Sequence, residues 1–384
     1  MNRIEYLEIR RSTDRQLVGI LDNFASVIWQ TDYYTPGAFE IYTQVNPTTI
    51  GLLKVDNYVT RPDDDNIGII EDIKVQYDEQ NGNMIIATGH FCKILLNRRL
   101  IYKLNSSSVS GKLSILPTIS RGLVEVCART LVSDHIISSK YPERNVDFIK
   151  LGEIQNIQKR IRNEDGDTTQ KQTSYANLLQ YTDSLLQAYE LGAYMRFDRT
   201  TRDLVYQVFE GIDRSRNNSD GNQPIIFSQD FGNLIASSYS IETQSLRNTA
   251  LIGGEGEGVN RFCTIIGDGQ QGLNRREIWV DAQSQSIKDD NEQEYTEAQY
   301  LALLSSAGQQ ALAEYAITQA YNAEINISNV GYKYRKDFNV GDRVSVEDNF
   351  LGVYLTPRIT QIIESQDEQG YNISIKYDSG GDRQ

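Results

Sequence analysis

The stretch VIWQTDYYTPGAFEIYTQVN, from Val27 to Asn46, restricts what this chain can fold into. Apolar and polar residues alternate on both sides of Thr35-Pro36-Gly37. Proline presets one turn dihedral and glycine accepts a positive φ, so the chain reverses there. Two alternating runs around a turn read as the first hairpin of a β-structure. The same stretch carries Trp29, Phe39 and three tyrosines, which raises a second reading, an aromatic platform for a sugar. Most of the 23 tyrosines of the chain sit at alternating positions of this kind, and strands select tyrosine anyway, so the hairpin is the stronger reading.

The pattern continues through the first hundred residues. RIEYLEIR (Arg3–Arg10) alternates at a period of two. IGIIEDIKVQYD and MIIATGHF flank Asn81-Gly82-Asn83, and Asn-Gly between β-rich runs is a strong hairpin signal. After about residue 105 the texture changes. SILPTISRGLVEVCARTLVSDHII puts Ile119, Leu123, Val126, Cys127 and Thr130 on one helical face, with Pro117 in the first turn. A second helix carries Tyr175, Leu178, Leu179, Thr182, Leu185, Leu186 and Tyr189 in one stripe, with Thr173 or Ser174 as cap and Gly192 as stop. A strand, turn and strand follow in AYMRFDRTTRDLVYQVFEG. From about residue 222 strands return, interrupted by one helix whose Thr296 and Gln299 have capping-box spacing. The fold class is therefore α+β and mainly β. Three segments are expected: 1–105, β-barrel-like; 106–221, α+β; and 222–384, a second β-barrel-like segment with a helical insertion near 296–322. No repeat of 20–50 residues is visible, although the order β-rich, helical, β-rich suggests a coarse duplication.

The chain has 384 residues, enough for two or three domains of ~150 residues. Its formal net charge is -14, which excludes the basic footprint of a nucleic-acid-gripping protein. Cys92, Cys127 and Cys263 are odd in number and far apart, so reduced, mostly buried thiols are expected rather than a disulfide framework or a metal clip. No leader peptide or apolar run of membrane-spanning length is apparent, so a soluble protein made in a cytoplasm is expected.

Candidate chemistry is sparse. GGEGEG (Gly253–Gly258) fails the dinucleotide spacing at Val259, and Glu255 and Glu257 would repel a pyrophosphate. Gly111-Lys112 lacks the rest of a phosphate loop. NEDGDTTQ fails the calcium-loop pattern at Ile161 and Gln172. Asp63-Asp64-Asp65 reads as a solvated turn before it reads as a loose calcium site. His90 and His135 have no zinc spacing. The sequence therefore nominates no catalytic, cofactor-binding or metal-binding residue, and no cofactor.

Several ordered stretches resemble the siphophage tail-hub family, relatives of the baseplate hubs of contractile phages. They are Trp29 with Pro36–Glu40, the helix and hairpin from Tyr175 to Glu210, and GIDRS (Gly211–Ser215). IIFSQDFGNLIASSYSIE, NTALIGGEGEGVNR, RREIWVDA, YRKDFNVGDRVSVED and RITQI follow in order. The resemblance implies two tube-like β-barrel domains joined by smaller helix-containing α+β domains. It also implies a homotrimeric ring with pseudo-sixfold symmetry that closes the tail tube at the virion's tail tip. The implied partners are the distal tail protein or tail-tube ring, the tape-measure protein and receptor-binding or adhesion proteins. Viral DNA is met only in transit, without membrane insertion, and synthesis takes place in the host cytoplasm. Gly253–Gly258 would be a strand closely approached by another backbone. Asp213 and Arg214 would form a structural ion pair or turn. No grafted enzyme is expected after the last strands. The competing readings are a tail-associated cell-wall hydrolase and a carbohydrate-binding module.

Overall fold

Alternation decides the first unit. Val27, Trp29 and Thr31 are buried while Ser26, Ile28, Gln30 and Asp32 are half-buried, so this strand shows one face to a core. The computed structural model describes residues 4–78, 82–105, 114–162, 168–267, 269–289, 292–315, 318–325, 331–349 and 352–378. Asn81 of the expected turn lies outside them, while Gly82 takes a positive φ of 74°. The N-terminal elements are β1 (Leu7–Arg10), β2 (Leu17–Leu21), β3 (Ser26–Asp32), β4 (Ala38–Gln44), α1 (Pro47–Leu52), β5 (Tyr58–Arg61), β6 (Asp64–Asp78) and β7 (Gly82–Phe91). The short α1 was not legible in the sequence reading. Pro47 opens it, and Asn46 with Thr49 forms a reciprocal cap.

The middle of the chain adds β8 (Lys103–Leu104), β9 (Ile115–Leu116), β10 (Thr118–Arg121), α2 (Val124–Val132), β11 (Ile149–Leu151), β12 (Gln170–Thr173), α3 (Leu178–Gln187), β13 (Gly192–Phe197), β14 (Leu204–Phe209) and β15 (Asp213–Arg214). Both helices begin later than the sequence suggests. Pro117 precedes a strand, because Thr118–Arg121 pairs with Gln170–Thr173, and Gly122 at φ 91° then turns the chain into α2. The buried face of α2 is Val124, Cys127, Ala128, Leu131 and Val132, whereas Val126 is 39% exposed. For the same reason the cap of α3 is Asn177, not Thr173 or Ser174, and Tyr175 is an exposed residue at φ 63°. Gly192 opens β13 rather than stopping α3; the reversal sits at Glu190, φ 53°. The stripe Leu178, Leu179, Thr182, Leu185 and Leu186 is buried as expected.

The remainder comprises β16 (Ile226–Ser228), β17 (Leu234–Glu242), β18 (Thr249–Gly253), β19 (Cys263–Gly267), β20 (Glu277–Asp281), α4 (Glu297–Glu314), β21 (Thr318–Ile325), β22 (Arg343–Asp348), β23 (Val353–Leu355), β24 (Ile359–Asp367) and β25 (Gly370–Asp378). Thr296 and Gln299 do cap α4 reciprocally. Tyr300, Leu303, Leu304 and Gly308 are buried on one side of α4 and pack on β18 and β19 through Ala250, Ile252 and Ile266.

The fold is α+β and mainly β, with the strands joined in an open path rather than in two closed barrels. Within the large sheet, β3-β4-β7-β6 and β17-β21-β25-β24 are two four-stranded units of the same order. Each is covered by shorter strands. Ile9, Leu21 and Val59 from β1, β2 and β5 share a core with Trp29, Ile41 and Ala87. Phe227, Val344 and Val346 from β16 and β22 share another with Ile362, Ile373 and Ile375. The units meet edge to edge, β3 against β24. The opening aromatics are core: Trp29 is fully buried, with its ring 4.8 Å from Phe91 and 5.9 Å from Phe39.

Two glycines give a test with opposite signs. A Cβ on Gly89 of β7 would lie 1.9 Å from the Ile69 carbonyl oxygen, whereas one on Gly51 of α1 meets nothing. Gly89→Ala is expected to cost about 1–3 kcal/mol through overpacking. Gly51→Ala is expected to stabilise by about 0.5–1 kcal/mol through helix propensity. Thermal and urea unfolding of the two variants checks the pair.

Candidate functional site: a buried charge network at the seam between the two units

Where β3 meets β24, Glu364 lies directly opposite Trp29. Glu364 occupies a core-facing position in β24, so its carboxylate is carried into the protein and must be paired there. Two arginines do this. Arg61, at the end of β5 and 1% exposed, reaches both carboxylate oxygens of Glu364 at 3.0 and 3.3 Å. Arg335 reaches the same oxygens at 3.0 and 2.5 Å. Tyr371 donates its hydroxyl to Glu364 at 2.5 Å. Arg61 also binds Asp63 at 2.6 and 3.0 Å, and Arg335 binds Asp64 at 2.8 Å. The indole N–H of Trp29 donates to Asp64 at 2.7 Å.

The electrostatics follow from this geometry. Burial alone would raise the pKa of Asp64, but Arg335, Arg61, the Asn66 N–H and the Trp29 indole outweigh it and hold the carboxyl below its usual range. Burial and the Glu364 carboxylate push the Tyr371 phenol up, and burial pushes Tyr334 up to about 12. Burial would lower Arg335, yet Asp64, Tyr334 and Glu364 raise it further. Nearby, Glu8 accepts from Arg10, Thr60 and Arg199, each at 2.7 Å. Burial opposes these bonds, but they bring its pKa down to about 2.

A second cluster ties β14, the start of β22 and β24 together. The Tyr33 hydroxyl donates to the Glu190 carbonyl at 3.1 Å and accepts the Gly211 N–H at 3.2 Å. Arg358 and Arg343 both bind Glu190, at 3.2 and 2.9 Å. Arg214 binds Asp342 at 3.0 Å, while Asp213 accepts the Ser215 N–H at 2.8 Å. The residues expected to make an ion pair or a turn therefore supply one of each. Between the clusters lies a cleft of about 600 Å³, lined by Asp32, Asp65, Lys93, Arg196, Glu210 and Arg335 among others.

Of the remaining motifs, Gly111-Lys112 and residues 163–167 of NEDGDTTQ lie outside the described residues. Asp63-Asp64-Asp65 begins in a turn, but Asp64 is a buried partner of Arg335 rather than a solvated acid. No group of three His, Cys, Asp or Glu among the described residues is placed to hold a metal ion. Gly253 and Gly254 are approached by the side chains of Trp279, Tyr300 and Leu304, and only Gly256 by backbone, from its own loop. His135 is buried, with Nδ1 2.8 Å from the Leu131 carbonyl oxygen, and burial lowers its pKa. His90 lies on an exposed strand end, 2.5 Å from Glu71. Cys92 and Cys127 are buried and Cys263 is exposed. No described helix is long and apolar enough to cross a membrane. Glu364, Asp63 and Asp64 are each paired with an arginine, whereas Asp32, at the end of the β3–β24 pairing, accepts from Gln30, Gln361 and Thr35, and burial raises its pKa.

The fold is that of phage tail proteins. The tail protein from Neisseria meningitidis MC58 is 11% identical, matches with a TM-score of 0.53, and aligns over 98% of this chain and 96% of its own. The prophage MuSo2 43 kDa tail protein from Shewanella oneidensis is 14% identical with a TM-score of 0.52, over 97% and 98%. Residues 6–377 match the Siphovirus ReqiPepy6 Gp37-like protein family, and the chain belongs to that family of phage tail proteins. No curated protein matches it in sequence.

Removing one member of a buried ion network strands its partners. Arg61→Ala is therefore expected to cost about 3–5 kcal/mol. Arg275→Ala, which breaks an exposed pair with Glu277, should stay within ~1 kcal/mol. Chemical unfolding of both variants measures the contrast. Glu8 adds a pH test. Its folded pKa is depressed from 4.5 to about 2, so its contribution is complete above 4.5 and lost as pH falls through the folded value. Glu8→Gln should flatten the stability profile between those two values, and the slope of midpoint against pH reports it.

Proposed function

We propose that this chain is the hub of a siphophage tail tip. Three copies form a ring that closes the tail tube and connects it to the adhesion apparatus. The ring opens on attachment so that the tape-measure protein and DNA pass. The observation that carries this reading is the duplication. Two four-stranded units of one order lie edge to edge in a single chain, so three chains supply six units, the number a sixfold tube would meet. The segment boundaries near 105 and 221 belong to the same reading. The net charge of -14 suits a conduit that does not grip phosphate. The partners are then the distal tail protein or tube ring, the tape-measure protein and adhesion proteins, and the chain works as a structural part rather than as an enzyme.

The test is the mass and symmetry of the purified protein. Light scattering is expected to give three times the chain mass of 43.6 kDa, and electron microscopy a threefold ring with a central opening. A monomer that clears host cell walls in a zymogram would overturn the reading in favour of a hydrolase.

A further inference from the structure

The two units repeat their register as well as their order. β6 and β7 close a hairpin at Asp78 and Gly82, and β24 and β25 close one at Asp367 and Gly370. Each first strand has a bulge at the same distance from that end, between Ile70 and Asp72 in β6 and between Ile359 and Gln361 in β24. Asp72–Asp78 therefore corresponds residue for residue to Gln361–Asp367. The equivalence carries across the sheet. Ile73 pairs with Ala87, Ala87 with Ile41, and Ile41 with Val27. In the second unit Ile362 pairs with Ile375, Ile375 with Ala323, and Ala323 with Ser237. Val27–Asp32 of β3 thus corresponds to Ser237–Glu242 of β17.

Inside the chain, the last strand of unit two meets the first strand of unit one: β24 on β3, from Gln361 opposite Asp32 to Gln366 opposite Val27. Among the described residues, the equivalent stretches at the other two edges pair with nothing on their outer side. Among the described residues β17 pairs only with β21. On its outer side β6 meets β5 up to Ile69 and β13 at Asn66, which leaves Asp72–Asp78 open. An open edge presents unpaired N–H and C=O groups, which native proteins cover or blunt. Val75 and Tyr77 on this edge are 59% and 72% exposed. LIASSYSIE, the sequence of β17, contains no lysine, arginine or proline to blunt it.

We propose that the junction seen within the chain repeats between chains. β17 of one copy pairs antiparallel with β6 of the next, Asp72 opposite Glu242, Ile73 opposite Ile241, Lys74 opposite Ser240, Val75 opposite Tyr239, Gln76 opposite Ser238 and Tyr77 opposite Ser237. Two different edges meet, so the contact is head-to-tail and produces a ring when the rotation closes. It satisfies the free edges of both strands. The inference rests on the trimeric hub reading and adds which strands touch and in what register.

Directly opposed strand residues lie close enough for a disulfide to report register. The test uses full-length protein with Cys263→Ser, which removes the exposed native thiol. Val75→Cys and Tyr239→Cys are introduced together, and the neighbouring pair Gln76→Cys with Ser238→Cys is made in parallel in case the first disturbs folding. Under oxidation a covalent trimer is expected on denaturing gels, and it should collapse on reduction. Mixing the two single-cysteine chains should give covalent pairs and nothing longer. A particle of trimeric mass that forms no covalent link with either pair overturns the strand pairing and leaves the hub reading intact. A chain that stays monomeric and unlinked at every concentration overturns both.

Discussion

The structure depends on a carboxylate that cannot be left alone. Glu364 sits on a core-facing position of β24, and an unpaired carboxylate there would cost several kcal/mol. Its partners come from distant parts of the chain, Arg61 from the first unit and Arg335 from the segment before β22. Arg335 in turn holds Asp64, which receives the Trp29 indole. One charge therefore specifies how β5, β6, β3 and β24 sit relative to one another. Apolar packing would tolerate small slips along the seam, whereas paired guanidinium forks fix both distance and angle.

A catalytic carboxylate needs an oxygen that can reach substrate. Here Glu364 accepts from two arginines and a tyrosine, and Asp64 from an arginine, an indole and a backbone N–H. The chemistry of the site is spent on position. The chain belongs to a family of phage tail proteins and shares the tail-protein fold with proteins only 11% and 14% identical.

Alternation and turn chemistry made most strands legible. Trp29, Phe39 and the Thr35–Gly37 turn announced the first hairpin, and Thr296 with Gln299 announced α4. The helix starts of α2 and α3 were less legible. Thr118–Arg121 and Gln170–Thr173 are too short to show a period, and their pairing with each other is a long-range fact. The seam was hidden for a related reason, since Arg61 and Glu364 are 303 residues apart. One local signal existed: in ITQIIESQD, Glu364 falls on the inward phase set by Ile362, where an acid is out of place. The duplication was visible only as a coarse order of textures, because the residues that correspond between units, such as Val27 and Ser237, share register and not identity.

The units differ in one place with a geometric consequence. Where β3 turns into β4 through Tyr33–Gly37, the matching connection from β17 to β21 carries β18, β19, β20 and α4 as a separately cored module. In a ring of three such chains every second unit would be decorated. The rim facing a sixfold tube could stay uniform while the decorated surface counted only to three. Symmetry reduction would then need no dedicated adaptor: it would be written into the length of a single hairpin connection.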